Sequence, residues 1–228
     1  MIGHSVIVPM RNAAPFVGAC LRSVLEQLQP EDEILVVDNG STDSSVEIVR
    51  GLGEPRVHLL AASTPGPSAA RNVGLRHARG KYITFLDADD MWAAGRLSLM
   101  HSAIAAAPGA NAAYGRVKIQ YEAGIPQLHG DVDGQFVQNW AIWTYMFERS
   151  LVEKVGLFAE ELQMGEDTDF ILRARRAGMT CAVCDAVVSV YRRHAGNVTN
   201  DRPEVKRSFM RTLARNAARL RAERNGNA

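Results

Sequence analysis

Residues 81–90 read Lys-Tyr-Ile-Thr-Phe-Leu-Asp-Ala-Asp-Asp, a β-branched and aromatic run that follows Gly80 and stops at an acidic cluster. Such a run, Tyr82 to Leu86, reads as a buried central strand. In open α/β sheets, ligands bind beyond the carboxyl ends of the strands, so Asp87, Asp89 and Asp90 stand where a site belongs. Three crowded carboxylates repel one another, and a hard divalent cation with oxygen ligands makes the cluster favourable. Metal binding is therefore the expectation. On this stretch alone a structural account is also open, with Asp90 capping the next helix and Asp87 forming a turn.

Upstream, three more strands alternate with helices. Ser5 to Met10 is a buried strand stopped by Pro9; Ile34 to Val37 is a second, ending in Asp38 and the polar turn Asn39-Gly-Ser-Thr-Asp43; Arg56 to Ala62 is a third, broken by Pro65-Gly-Pro67. Between them, Phe16, Val17, Cys20, Leu21, Val24, Leu25 and Leu28 recur at helical spacing behind Pro15. Val46, Ile48 and Val49 mark a second helix, capped by Ser41, Thr42 or Asp43. Ser68 to Arg79 is a third, with Ala69, Ala70, Gly74 and Ala78 small enough to lie close to a sheet. This alternation requires parallel strands joined by right-handed crossovers. Met10 to Ala14 contains no glycine, whereas a dinucleotide fold needs a glycine-rich turn there, which argues against an NAD enzyme. Asp38 is a second carboxylate at a strand end, or the anchor of an Asx turn. Arg71, in the first turn of the third helix, suits an anionic ligand such as a diphosphate, or else a surface ion pair.

Downstream the pattern loosens. A helix from about Arg96 to Ala107 ends at Pro108-Gly109, and Ala112 to Glu122 alternates as a half-exposed strand. Ala123 to Gln138, with Gly124, Pro126, Gly130 and Gly134, reads as a long loop that could serve as a flap. Trp140, Trp143, Tyr145 and Phe147 are expected mostly in the core, with one or two free to stack on a sugar. Ser150 to Val155 is a short helix. Gly165-Glu-Asp-Thr-Asp169 opens another, running through Phe170, Ile171, Leu172 and Ala174 to Gly178, with more acid at its start than capping requires. Val187 to Tyr191 is the last strand, leading into Arg192-Arg-His-Ala-Gly-Asn197.

From Pro203 the chain reads as a basic helix. Val205, Phe209, Leu213, Ala217 and Leu220 form one stripe, with Arg207, Arg211, Arg215, Arg219, Arg221 and Arg224 around it. It either packs on its own domain with a solvated basic face or touches anionic lipid or a partner subunit.

The 228 residues suit one α/β domain, and the net charge of +1 gives no reason to expect a nucleic-acid partner. No apolar run reaches membrane-spanning length and no signal-peptide pattern precedes Ser5, so the expected location is the cytoplasm, with the basic helix available for contact with the inner face of a membrane. Cys20, Cys181 and Cys184 are an odd set, expected as reduced thiols. The C-x-x-C spacing of the last two falls in a strand-like run, which directs them to opposite faces and favours packing over zinc.

Six motifs in order, Ser5-Val-Ile-Val-Pro9, Val36-Val-Asp-Asn-Gly-Ser-Thr-Asp43, Ala70-Arg-Asn-Val-Gly74, Phe85-Leu-Asp-Ala-Asp-Asp90, Gly165-Glu-Asp-Thr-Asp169 and Tyr191-Arg-Arg-His194, resemble the family 2 glycosyltransferases across residues 4–200. The resemblance implies the α/β GT-A fold: a mainly parallel central sheet flanked by helices, a nucleotide-binding half (1–92) and a smaller mixed acceptor-binding half (93–200). It leaves the C-terminal helix and tail (201–228) uncovered. It also implies inverting, metal-dependent transfer of a sugar from a nucleoside diphosphate donor, commonly UDP-linked, to a hydroxyl of a saccharide, a lipid-linked sugar or another acceptor. Carried over by position, Asp38 contacts the base, Arg71 supports the base or diphosphate, and Pro9 and Arg11 line the nucleotide pocket. Asp87 lies near the ribose and metal, Asp89 binds Mn²⁺ or Mg²⁺, and His194 completes the metal or diphosphate site. Asp167 is the catalytic base, with Glu166, Asp169 and Trp92 in supporting or acceptor-facing places.

The chemistry asks for the same equipment. A departing diphosphate needs positive charge, and an attacking hydroxyl needs a carboxylate to take its proton. Asn39 stands where many relatives carry a second aspartate. Asp167 and Asp169 lie about 200° apart on a regular helix, so only one can face the acceptor. Two rivals remain: a nucleotidyltransferase acting on a sugar phosphate, which would want a glycine-rich loop after the first strand, and a non-catalytic nucleotide-sugar-binding scaffold.

Overall fold

The computed structural model describes residues 3–125, 136–138, 141–162 and 164–226. Trp140 and most of the expected flap lie outside the described residues. The first half is built as the alternation requires. Strands β1 (His4–Met10), β2 (Glu33–Asp38), β3 (Val57–Ala61) and β4 (Tyr82–Phe85) pair in parallel in the order β3-β2-β1-β4. Helices α1 (Val17–Leu25), α2 (Ser45–Gly51) and α3 (Pro67–His77) are the crossovers. β1 is covered on both faces, so its interior is apolar without alternation: Val6, Ile7 and Val8 are all fully buried.

α3 lies close to the sheet for the reason its small residues suggest. A Cβ at Gly74 would stand 2.4 Å from Ile7 Cγ2, so any larger residue there would push the helix away. That approach sets the depth at which Arg71, one turn earlier, enters the cleft above the strand ends.

The second half is mixed. β5 (Met91–Trp92), α4 (Arg96–Ala106), β6 (Ala112–Tyr121), β7 (Phe136–Gln138), β8 (Tyr145–Glu148), α5 (Arg149–Val155), α6 (Glu166–Arg176), β9 (Cys181–Arg193) and α7 (Arg202–Gly226) follow in order. β8 joins β4 antiparallel, β6 joins β8 antiparallel, β9 runs parallel to β6, and β5 closes the edge against β9. The last strand begins at Cys181, well before the expected Val187. Register shifts around Arg116 of β6 absorb the irregularity, so one strand continues where the sequence around Asp185 suggests two. Cys184 is buried and Cys181 only partly so, and the three thiols are free.

Two apolar layers flank the sheet. One joins Val6, Val8, Leu21, Val36 and Met100 under α1, α2 and α4; the other joins Ile7, Phe85, Phe147, Phe158 and Phe170 under α3, α5 and α6. Tyr145 and Phe147 are core, their rings stacked 5.2 Å apart. Trp143 stacks on Tyr191 at 5.6 Å, and both line the cleft described below. No helix among the described residues is long and apolar enough to cross a membrane.

Candidate active site

The carboxyl ends of β1, β2 and β4 open into a cleft of about 1410 Å³, closed on the far side by the start of α6, the end of β9 and the first turns of α7. Single-ligand pockets typically occupy roughly 300–1,000 Å³, so this one has room for two substrates.

Polar side chains knit its first wall together. Asn12 Oδ1 accepts the Thr42 amide at 2.8 Å, and the Asn12 amide donates to Ser41 Oγ at 3.0 Å. Asp43 accepts the Ala14 amide at 3.0 Å. The loops after β1 and β2 are thereby one unit, which carries Pro9 and Arg11 along the cleft. The Asp38 carboxylate accepts the amides of Gly40 (3.3 Å) and Ser41 (3.1 Å), which makes it the anchor of its own turn. Asn39, not Asp38, lines the cleft. Both ends of the Asn39 amide are engaged, Oδ1 by the Gly66 amide at 2.6 Å and Nδ2 by the Thr64 carbonyl at 2.7 Å. An aspartate there could not make the second bond, because a carboxylate only accepts.

Arg71 spans the floor. Only 3% exposed, it places Nη2 2.8 Å from Asp87 Oδ1 and Nη1 2.7 Å from Glu166 Oε1 and 3.2 Å from Asp167 Oδ1. One guanidinium thus ties the end of β4 to the start of α6. Burial alone would lower its pKa, but Asp167, Asp87 and Glu166 overcome that and hold it firmly protonated. The acids feel the reverse. Burial pushes Asp167 up to about 7, helped by the negative charges of Glu166 and Asp87 and opposed by Arg71 and by the Ile142 amide, which donates to Asp167 Oδ2 at 3.2 Å. Asp87 is likewise raised by burial and by Asp89, against the pull of Arg71. A carboxyl with a pKa near 7 exchanges protons readily at neutral pH, which suits a general base.

Asp89 stands at the mouth, its side chain 31% exposed. Oδ2 lies 3.1 Å from His194 Nε2 and 3.5 Å from Asn197 Nδ2. The Gly196 amide donates to His194 Nδ1 at 3.1 Å, so the neutral ring carries its proton on Nε2 and donates to Asp89. The same ring stacks on Phe16 at 4.3 Å, and the Arg192 guanidinium lies 5.1 Å from the Phe16 ring centre. The end of β9 is thereby tied to the loop before α1. Among the described residues, no three His, Cys, Asp or Glu side chains converge as a ready cage for a metal ion. A part-exposed carboxylate beside a histidine still fits a cation whose remaining ligands are water and substrate phosphate, the usual habit of Mg²⁺ in phosphate sites.

Three expected residues point elsewhere. Asp90, the third acid of the strand-end cluster, is fully buried and accepts the Arg192 amide at 2.9 Å, so it pins β9 and stays out of the cleft. Trp92 is buried in the core because β5 pairs with β9 at Ser189; its indole lies 5.0 Å from the Arg96 guanidinium and does not line the cleft. Asp169 is fully buried on the far side of α6, bound to Arg173 at 2.8 Å, Arg219 at 3.0 Å and Asn216 at 3.2 Å.

The wall that sequence reading missed is α7. Its expected packing stripe is not the one that docks: Ser208, Thr212 and Asn216 are buried against α6, while Phe209 and Leu213 remain exposed. The reason is the polar outer face of α6. Asp169 calls for Asn216 and Arg219, Ser208 Oγ donates to the Met164 carbonyl at 3.4 Å, and Gly165 admits Thr212 so closely that a Cβ would lie 2.5 Å from its hydroxyl. Val205, Lys206 and Phe209 consequently line the cleft opposite Pro9 and Arg11. The polar period Ser208-Thr212-Asn216 was visible in the sequence, but reading it required knowing that Asp169 would be buried.

A parallel sheet that delivers acids to a large cleft at its strand ends, extended by a mixed half that carries a second acidic helix start, defines a GT-A fold. The sequence model described as Glycosyl transferase family 2 matches residues 5–166, and the chain belongs to that family. It is 29% identical over 218 residues to the uncharacterised glycosyltransferase EpsJ of Bacillus subtilis, covering 86% of this chain and 62% of that protein. S. aureus TarS in complex with UDP-GlcNAc superposes with a TM-score of 0.72 at 24% identity, over 88% of this chain and 61% of TarS. The mannosyltransferase PcManGT of Pyrobaculum calidifontis, in complex with GDP-Man and Mn²⁺, gives 0.70 at 23%, over 94% and 64%. The chain spans less than two thirds of the length of each of these three.

Proposed function

We propose that this chain transfers a sugar from a nucleoside diphosphate sugar, UDP-linked in our reading, to an acceptor hydroxyl with inversion, assisted by Mn²⁺ or Mg²⁺. The observation that carries the reading is the Asp87–Arg71–Asp167 bridge. It holds a base with a pKa of about 7 on the acceptor side and fixes it relative to the strand-end acids on the donor side.

The nucleotide lies along Pro9, Arg11 and the Asp38-Asn39 turn, with Asp87 toward its ribose. Asp89, steadied by His194, would hold the cation with phosphate oxygens and water. The cation supplies charge neutralisation for the leaving diphosphate when bound. Asp167 accepts the proton of the acceptor hydroxyl as its oxygen bonds to the anomeric carbon, and the bond from that carbon to the diphosphate oxygen breaks with its electron pair. One displacement from the face opposite the leaving group inverts the centre. Arg71 keeps Asp167 and Asp87 in place, and Glu166 raises the basicity of Asp167 by like-charge repulsion. Trp92 and Asp169 take no part.

The test is incubation of the protein with UDP-glucose, UDP-GlcNAc and GDP-mannose in turn, with Mn²⁺ or EDTA. We expect slow, metal-dependent release of the nucleoside diphosphate from at least one donor. Release of pyrophosphate from a sugar phosphate and a nucleoside triphosphate would indicate a nucleotidyltransferase. Tight nucleotide binding with no turnover under any acceptor would indicate a scaffold.

A further inference from the structure

α5, α6 and α7 border a second cavity, of about 670 Å³, that shares no lining residue with the cleft. Its walls carry mostly one sign of charge. Lys154 in the last turn of α5, Arg173 and Arg176 of α6, and Arg215 and Arg219 of α7 line it, and Glu161 is the one carboxylate among its described lining residues. Glu161 is already paired with Arg215, and the fully buried Asp169 with Arg173 and Arg219. Lys154 has no ion-pair partner among the described residues, and Arg176 donates to the neutral Asn216 Oδ1 at 3.0 Å. Five cations around two carboxylates in a concave site leave a net positive field that draws in a counter-ion.

Arg173 supplies the second observation. Its guanidinium is held on three sides: Nε donates to Asp169 Oδ2 at 2.8 Å, Nη1 donates to the Val155 carbonyl at 2.7 Å, and the group lies 5.3 Å from the centre of the Phe170 ring. Nη2 is buried with no acceptor among the described residues. A buried donor left unpaired costs stability, and a guanidinium already fixed loses little freedom when it donates to a ligand oxygen.

We infer that this cavity is an anion site for a multiply charged oxyanion of the phosphate class, held by Arg173 with Lys154 and Arg176 and bridging α6 to α7. A carboxylate would bring one charge where more than one is uncompensated, and guanidinium forks match phosphate oxygens in pairs. The bridge matters to the cleft because α7 also carries Val205, Lys206 and Phe209 along it. The inference stands apart from the transfer reading, since none of these groups touches the cleft.

The probe is pyrophosphate, titrated calorimetrically into the full chain in phosphate-free buffer with EDTA, so that no metal bridges it into the cleft. Inorganic phosphate, sodium chloride at matched ionic strength and vesicles of anionic phospholipid are the other arms. We expect pyrophosphate to bind about tenfold more tightly than inorganic phosphate. At about ten times its dissociation constant it should raise the melting midpoint by roughly 2–5 °C, with no rise in matched chloride. Lys154→Glu and Arg176→Gln, both at exposed positions, should each weaken binding about fivefold and leave the unliganded midpoint nearly unchanged. Arg173→Lys keeps a cation beside Asp169 but removes the unpaired N–H group, and should weaken binding about tenfold. Pyrophosphate binding that ignores all three substitutions places the anion in the cleft and overturns the inference. Absence of binding, or an equal midpoint rise in matched chloride, would overturn it as well. So would binding to vesicles without binding to pyrophosphate, since that places a membrane surface and not a soluble oxyanion on these cations.

Discussion

Arg96 and Arg71 are buried to nearly the same depth, and their surroundings are opposite. Arg96 is fully buried and meets only neutral oxygens: the Val188 carbonyl at 3.1 Å, Ser189 Oγ, Thr84 Oγ1 at 3.1 Å and the Tyr145 carbonyl at 3.0 Å. Burial with no acid nearby lowers its pKa to about 9. Arg71 meets three carboxylates, two of which are themselves pushed toward neutrality. The first splices β4, β8 and β9, and so joins the two halves of the sheet. The second sits where more negative charge has been gathered than one cation can satisfy. Frustration of that kind costs stability, and it is retained where acids must bind charge or move protons.

The sharpest way to break the contrast is at the base. Asp167→Asn keeps the size and the Arg71 contact but cannot take a proton, so turnover should fall by about 10²–10⁴ with nucleotide binding unchanged by calorimetry. The two arginines separate next. Arg96→Met strands several buried acceptors and should cost on the order of 3 kcal/mol, equally at acid and neutral pH, while activity per folded molecule survives. Arg71→Met removes the cation from acids whose native pKa values already exceed their unfolded values. Without Arg71 those values rise further, and the native state binds more protons than the unfolded state across that window. The variant should therefore lose stability as pH climbs from acid through neutrality, over a range that extends above the intact protein's value near 7, and recover it in acid. Denaturant melts of both variants at two pH values check the sign, and pH-independent loss in Arg71→Met would erase the distinction.

Glu166→Gln is subtler. Removing one like charge lowers the pKa of Asp167, so the acid limb of the rate profile should move below the unmodified protein's value near 7, with little change in the plateau. The smallest effect is expected at Gly165, whose φ of +83° and contact with Thr212 leave no place for a methyl group. Gly165→Ala should cost about 1–3 kcal/mol, and Thr212→Gly should restore the steric part only.

How much of this was legible without coordinates differs between the two regions. The parallel half followed from strand runs ended by Pro9, Asp38 and Asp87, because each local signal agreed with its neighbours. The meeting of Arg71 with Glu166 and Asp167 did not follow, since Glu166 lies 95 positions after Arg71 and it is the antiparallel pairing of β8 with β4 that brings the following α6 over the cleft. Arg96 gave no signal at all: a helix-start arginine looks like a surface charge until its acceptors on three strands are seen. Asp90 and Trp92 were misplaced for a related reason. Pairing of β5 and the end of β9 turns them inward, and that pairing is invisible in a two-residue strand. For α7 the apolar stripe suggested the docking face, and the buried Asp169 decided otherwise.

The account stands on Asp167 as the group that deprotonates the acceptor. The direct measurement is the rate of nucleoside diphosphate release with acceptor present, followed from about pH 5 to 9 in the unmodified protein and in Asp167→Asn. The unmodified rate should fall tenfold per pH unit below about 7, and the variant should be slow and flat across the range. An Asp167→Asn profile that overlays the original in height and shape would contradict it.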